Sequence, residues 1–500
     1  MLFTSYKFIL IFLPVVFAGY VTFNKFKLYK LSKIWLIAVS LYFYSQGTLK
    51  FLPLFVGTVL LNYFIGIGIV KFREVKRTAF ARILLIFGLI ENLGLLGYFK
   101  YKNFFMENVH NILGTDFTLK EIMLPLGISF FTFHLISFLV DSYKEDMDKL
   151  CLKQSGSLKQ KKGLKQQGSF GRYYDFIDYM VYVTFFPHLI MGPIVNHGEL
   201  VSQIENKTKV FVFKKENIMM GMFMFSIGCA KKILLADPLI GHAQAFYNGA
   251  GGTGFFSSWS AVLAYTFAYY FDFSGYGDMA IGLGLFFNIK LPVNFNSPYK
   301  SRNFLEFWRR WNITLYNFLN RYVYNSIHRF GHRTLKTMFA IIITFLVSGI
   351  WHGAGWNYIA WGLVNGVFVS ICTLMALHSK KLPFPIAWAI TFFGVLMTRV
   401  IFDSKNMAQV MDVYKDMFNL TGNIGGLHAF LSQGYHFFID NWFIMVLIVI
   451  CVLISFIPKN SNQMIEDFKP NWKYPAFAAI LLVLTLFRMG SVSNFLYFQF

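Results

Sequence analysis

Long apolar runs with almost no charge decide what this chain can fold into. A run of roughly 18 or more apolar residues can cross a bilayer as a helix. A helix also satisfies its own backbone hydrogen bonds in lipid. Candidate spans fall at about residues 8–23, 33–47, 51–70, 83–99, 122–140, 176–195, 217–236, 256–272, 337–352, 357–377, 384–402, 441–457 and 474–489. A membrane β-barrel needs short alternating segments instead, and the sequence has none. The expectation is an all-α, polytopic integral membrane protein with about eleven to thirteen membrane helices. Spans that are short or broken by Gly and Pro are expected to be re-entrant or buried within the protein. Composition agrees: 14% of residues are charged, against about 25% in soluble proteins.

The net charge of +22 raises the question of nucleic acid. The basic residues sit in loops between apolar runs, and no basic module stands apart from them. The excess reads as positive-inside bias and affinity for anionic lipid, with no nucleic-acid partner. Basic loops around Lys25–Lys33, Lys71–Arg82 and Lys144–Arg172 alternate with nearly balanced ones. That pattern puts the N-terminus outside and the Lys-rich loops in the cytoplasm. Past residue 200 the bias blurs at Lys207, Lys209, Lys214 and Lys215, and no orientation follows there. The piece at 153–170 reads as a flexible cytoplasmic loop. The apolar N-terminus reads as a retained first span rather than a cleaved leader. Cys151, Cys229, Cys372 and Cys451 are widely spaced, so neither a zinc site nor a disulfide framework is indicated. One domain over residues 1–500, with its catalytic core at about 120–370, is the simplest partition.

Ionisable groups in apolar helices are costly and commonly line an interior cavity. The richest cluster runs from Asp272 to Trp361. His352 closes an apolar run and is flanked by Trp351, Gly353, Gly355 and Trp356. A neutral imidazole there can take a proton near neutral pH. The competing reading is an interfacial histidine in an aromatic belt. In the stretch EFWRRWNITLYNFLNRYVY, Trp308, Trp311, Leu315 and Phe318 alternate with Arg309, Arg310, Asn317 and Arg321 at helical spacing. This predicts one amphipathic helix. Its arginines suit either the phosphates of a nucleotide-type donor or lipid headgroups. His134 and His188 are candidate tunnel-lining or structural histidines, with His197 a further one. His328 and His332 read as part of a solvated basic face. Asp272 and Asp278 frame FSGYGD and need buried partners. No HExxH, GxSxG or P-loop pattern is present.

Five segments together carry a family resemblance. They are PLGISFFTFHLISFLVDSYK at Pro125–Lys144, FFPHLIMGPIV at Phe185–Val195, FDFSGYGDMAIGLGLFFNIKLPVNFNSPY at Phe271–Tyr299, EFWRRWNITL at Glu306–Leu315, and SGIWHGAGWNYIAWGLVNG at Ser348–Gly366. The chain resembles bacterial membrane-bound O-acyltransferases, especially the branch that acetylates alginate or peptidoglycan. The resemblance covers most of the chain, to about residue 400. It implies a helical fold with a pinched centre, where a central tunnel meets a cytoplasmic funnel. His352 matches the family's principal catalytic histidine, and Asn312 its second marked position. The closest bacterial branch usually has His at that second position, whereas other branches have Asn. Asn312 can orient or support a thioester carbonyl but takes no proton at neutral pH.

The resemblance further implies an O-acetyltransferase in the bacterial cytoplasmic (inner) membrane. It would act on an extracytoplasmic polysaccharide, with acetyl-CoA as donor and no bound cofactor or metal. Arg309, Arg310, Arg321, Trp311 and Trp351 are the expected donor-binding residues. A periplasmic SGNH-type partner is expected to complete the transfer. Two alternatives stay open: D-alanyl transfer to teichoic acid, and a polytopic transporter, which would predict internal repeats.

Overall fold

The computed structural model describes residues 1–114, 122–144, 175–205, 212–328, 334–378, 382–419, 426–468, 471–491 and 495–496. The Lys-rich loop at 153–170, Cys151, Lys207, Lys209 and His332 lie outside the described residues. All regular elements among the described residues are helical. Seven helices there are long and apolar enough to cross a membrane: Lys7–Lys25, Leu49–Glu74, Thr78–Leu113, Lys215–Tyr247, Thr334–His352, Trp356–Leu377 and Phe384–Asp403. An eighth span results if His428–Asp440 and Trp442–Phe456, which meet at 86°, are one broken crossing.

Two further runs form the single helices Tyr29–Thr48 and Lys473–Arg488, and three others fold differently. The run at 122–140 becomes the helix Ile128–Lys144, in which nearly every residue up to Ser142 is buried. The run at 176–195 divides into Phe176–Thr184 and the single turn Phe186–Leu189. Pro187 at the start of that turn fits, because its missing N–H has no partner to lose there. The run at 256–272 is the first half of a 32-residue helix, Phe255–Phe286.

The chain forms two compact units. Met1–Met222 with Ala280–Pro292 make the first, and Phe223–Met279 with Val293–Phe500 the second. In the first, Phe3, Phe8, Phe12, Phe43 and Phe186 stack into one aromatic cluster. Glycine lets its helices approach closely: a Cβ at Gly88 would lie 2.5 Å from a Leu139 methyl. Lys33 pairs with Asp178.

The second unit carries a helical hairpin of Thr334–His352 and Trp356–Leu377. Both arms are strongly apolar, so burial alone does not fix their register. Glycines do: a Cβ on Gly362 would lie 2.5 Å from the Phe345 carbonyl oxygen, and one on Gly349 would strike the Tyr358 carbonyl. Neither obstacle is a side chain that can swing away. Gly362→Ala is therefore expected to cost about 1–3 kcal/mol of stability, seen as a lower apparent melting temperature in detergent. An unchanged melting temperature would show that the hairpin can part without loss.

Candidate active site

His352 is the last residue of the helix Thr334–His352 and is half-buried. Its ring is met edge to face by Trp351, Trp361 and Phe402, at centroid distances of 4.7, 5.2 and 5.1 Å. Three aromatic walls restrict how the imidazole can turn. Gly353, the next residue, has Tyr358 ring atoms where a Cβ would stand, so the chain turns tightly behind His352.

Asn312 reaches the same place from another element. The expected single amphipathic helix is in fact two, Phe304–Arg310 and Ile313–Leu319, broken at Trp311 and Asn312. Asn312 sits in the left-handed region at φ 44°, ψ 55°, which asparagine tolerates better than most residues. Hydrogen bonds to an earlier segment of the chain hold the break. Asn296 N–H donates to the Arg310 carbonyl at 2.9 Å, and Ile313 N–H to the Asn294 carbonyl at 2.9 Å. The Asn294 Oδ1 accepts from Thr314 N–H and Thr314 Oγ1. The extended segment at 294–296 thus replaces the helical bonds lost at the break.

Two cavities meet at these side chains. One, of about 260 Å³, is lined by Arg309, Leu315, Tyr316, Asn320, Thr344 and Ser348 among others. The second, about 40 Å³, is walled by Tyr269, Phe273, Tyr299, Phe307, Val395 and Arg399 among others. Trp308, Trp311, Asn312 and His352 border both. An imidazole and an amide therefore stand where a roomy chamber and a small aromatic one adjoin, the neck of the site. This is suited to bringing two reactants to one point.

A family model for membrane-bound O-acyltransferases matches residues 3–402. The chain belongs to this family. The membrane-bound O-acyltransferase assignment makes it an acyltransferase, and with its apolar helices a multi-pass protein of the bacterial inner membrane. It is 38% identical to a protein named "Peptidoglycan O-acetyltransferase" from Helicobacter pylori, covering 100% of this chain and 98% of that one. It is 34% identical to "Probable alginate O-acetylase AlgI" of Pseudomonas aeruginosa, over 84% of this chain and 75% of the relative. A more distant relative, "Teichoic acid D-alanyltransferase" of Streptococcus thermophilus, is 27% identical over 48% of this chain.

Within this acyltransferase, the sequence-predicted residues separate. Arg309 and Trp311 join His352 and Asn312 at the larger cavity. Arg310 instead pairs with Glu306 at 2.8 Å, one turn earlier on the same short helix. Arg321 lies over the Tyr322 ring at 5.4 Å and borders neither cavity. Trp351 is buried behind His352 and also borders neither. His134, His188 and His197 are fully buried in the first unit around Tyr182. There His188 Nε2 donates to the Tyr182 carbonyl, and Val195 N–H donates to His134 Nε2. His197 packs against the Phe138 and Tyr182 rings, and none of the three histidines borders the two cavities at His352.

Asp272 and Asp278 find buried partners on one neighbouring segment. Lys232 Nζ lies 2.8 Å from Asp272 and 2.7 Å from Asp237. Lys231 Nζ lies 2.6 Å from Asp278, which also accepts from Ser461 Oγ. The two lysines open a six-residue π-helical stretch, Lys231–Ala236. Sequence reading missed Arg399 and Asp403, which lie beyond the stretch taken as the core. Their i, i+4 spacing was the available signal. Arg399 Nε donates to Asp403 Oδ2 at 3.0 Å and Nη2 donates to Oδ1. The guanidinium lies 3.5 Å from the centroid of the Tyr269 ring.

Proposed function

We propose that this protein is an O-acetyltransferase supplying acetyl groups to an extracytoplasmic polysaccharide, with peptidoglycan as the favoured acceptor. The observation that carries the reading is the neck where His352 and Asn312 border both cavities. Peptidoglycan is favoured because the relative of that name aligns along essentially its whole length. The donor is acetyl-CoA, entering from the cytoplasm with its thioester at the neck. Arg309, in the larger cavity, is placed to meet donor phosphate.

His352 takes the proton of the acceptor hydroxyl as its oxygen attacks the thioester carbon. The carbonyl oxygen becomes an oxyanion, to which the Asn312 amide donates a hydrogen bond. Collapse re-forms the carbonyl and breaks the C–S bond. The proton on His352 leaves with the thiolate, giving free CoA. The acceptor hydroxyl is either on the glycan itself or on an SGNH-type periplasmic partner that passes the acetyl on.

Ester-linked acetate on purified peptidoglycan tests this. A deletion strain is expected to lack it, and the wild-type gene to restore it. Acetate that persists in the deletion strain overturns the peptidoglycan assignment. Loss of ester-linked D-alanine from teichoic acid instead would point to the D-alanyl reading.

Asn312 allows a finer test. Asn312→Gly keeps access to the left-handed backbone and removes only the amide. CoA release by membranes given acetyl-CoA is expected to fall roughly 100-fold at near-normal protein level. Asn312→Val adds a β-branched residue at positive φ and is expected to lower stability as well, by about 1–3 kcal/mol. If the Gly variant kept full rate, Asn312 would have only a backbone role.

A further inference from the structure

We infer that Arg399 is a further catalytic residue, whose guanidinium holds the oxyanion formed at the acyl carbonyl. The assignment rests on the acetyl-transfer reading. Arg399 borders the small cavity that His352 and Asn312 also border. Among the described residues that line the cavity it is the one Lys or Arg, beside Tyr269, Phe273, Tyr299, Phe307, Trp361 and Phe402. Asp403 occupies the Nε and Nη2 side of the fork, and its own side chain is 1% exposed. Nη1 donates to no group among the described residues. The guanidinium cannot turn freely, because Tyr269 lies against it at 3.5 Å and Phe402 at 4.7 Å. Phe402 in turn meets the His352 ring at 5.1 Å, so the cation and the imidazole share one aromatic wall.

Such an arrangement suits developing negative charge better than a ground-state carbonyl. A cation held in place by aromatic walls needs little reorganisation when charge appears. This chamber is small beside its neighbour, about 40 against 260 Å³, and leaves room for the carbonyl oxygen of a two-carbon acyl group. In the step written above, the oxyanion at the neck points into this chamber. Asn312 donates from one side and Arg399 Nη1 from the other. When the C–S bond breaks, the charge leaves with the thiolate and Arg399 is unchanged.

The test uses full-length protein in membranes, with acetyl-CoA as probe and released CoA as readout. In an Asp403→Asn background, where no buried carboxylate is stranded, Arg399→Gln is expected to lower kcat roughly 100-fold, with KM for acetyl-CoA changed less than about threefold and the melting temperature near that of the background. Arg399→Lys keeps the charge without the planar fork and should retain about tenfold more activity than the Gln variant. In Arg399→Gly, millimolar guanidinium should restore part of kcat, and tetramethylammonium should not. Equal loss in Lys and Gln variants, a change in KM alone, or a rate loss that follows melting temperature would overturn the assignment. If Arg399→Gly does not accumulate, the Lys and Gln comparison decides. Wild-type membranes inert toward acetyl-CoA would overturn the acetylation reading and this assignment together. Active wild type with indistinguishable Lys and Gln variants would overturn this assignment alone.

Discussion

Replacing His352 with alanine is expected to reduce CoA release from acetyl-CoA by about 100- to 10,000-fold, the range that general-base removal produces. Protein level in the membrane should stay near wild type. The imidazole ends its helix half-buried, and the contacts that hold the hairpin lie at Gly349, Gly362 and Gly366. Truncation removes a ring from the edge of the Trp361 and Phe402 cluster without opening the centre of the unit. His352→Gln fills much of the same space and still donates a hydrogen bond, but accepts no proton at neutral pH. It should therefore be as inactive as the alanine variant. A glutamine enzyme within tenfold of wild type would show that His352 only positions a substrate.

The largest stability effect is expected at Lys232, whose side chain is fully buried between Asp237 and Asp272. Replacing it with methionine keeps the apolar stem and removes the charge. Two carboxylates then lack their shared cation. Breaking a buried pair from one side costs about 3–5 kcal/mol, a large fraction of any protein's net stability. Lys232→Met protein is expected to accumulate poorly in membranes and to melt well below wild type in detergent. Adding Asp272→Asn should recover part of the loss, because the second change removes one stranded charge. It retains an acceptor for Leu496 N–H, which Asp272 Oδ2 now binds at 2.9 Å. No recovery in the double variant would mean that Lys232 acts through packing, for example against the Phe495 ring 4.5 Å away.

The features that sequence reading reached share a physical cause. Apolar runs are long and lipid is uniform, so spans such as Trp356–Leu377 and Phe384–Asp403 appear directly as composition. His352 stands out for the complementary reason, as an ionisable group closing an apolar run. The break at Asn312 was hidden because the apolar and basic residues on both sides keep helical spacing. What ends the first helix is pairing with Asn294 and Asn296, a tertiary fact. Arg310 looked equal to Arg309, and only the turn geometry sends one to Glu306 and the other to the cavity. Arg399 and Asp403 looked like ordinary charges at the end of a span. Nothing local marks the former as lying over Tyr269, which is far away along the chain.

The π-helical stretch at Lys231–Ala236 has a genetic consequence. A π-turn holds one residue more than the α-turn it replaces, so its length can be corrected by losing a single codon. Each α-helical residue turns the chain by about 100°, so losing one from a regular helix rotates everything downstream. Losing one residue at 233–236 would instead turn the wide turn into a regular one and leave the two halves near their present bearing. Losing Lys231 or Lys232 would remove a partner of Asp278, or of Asp272 and Asp237. Single-residue deletions at 233–236 should therefore be tolerated better than deletions of either lysine or of a residue in the regular helix on each side.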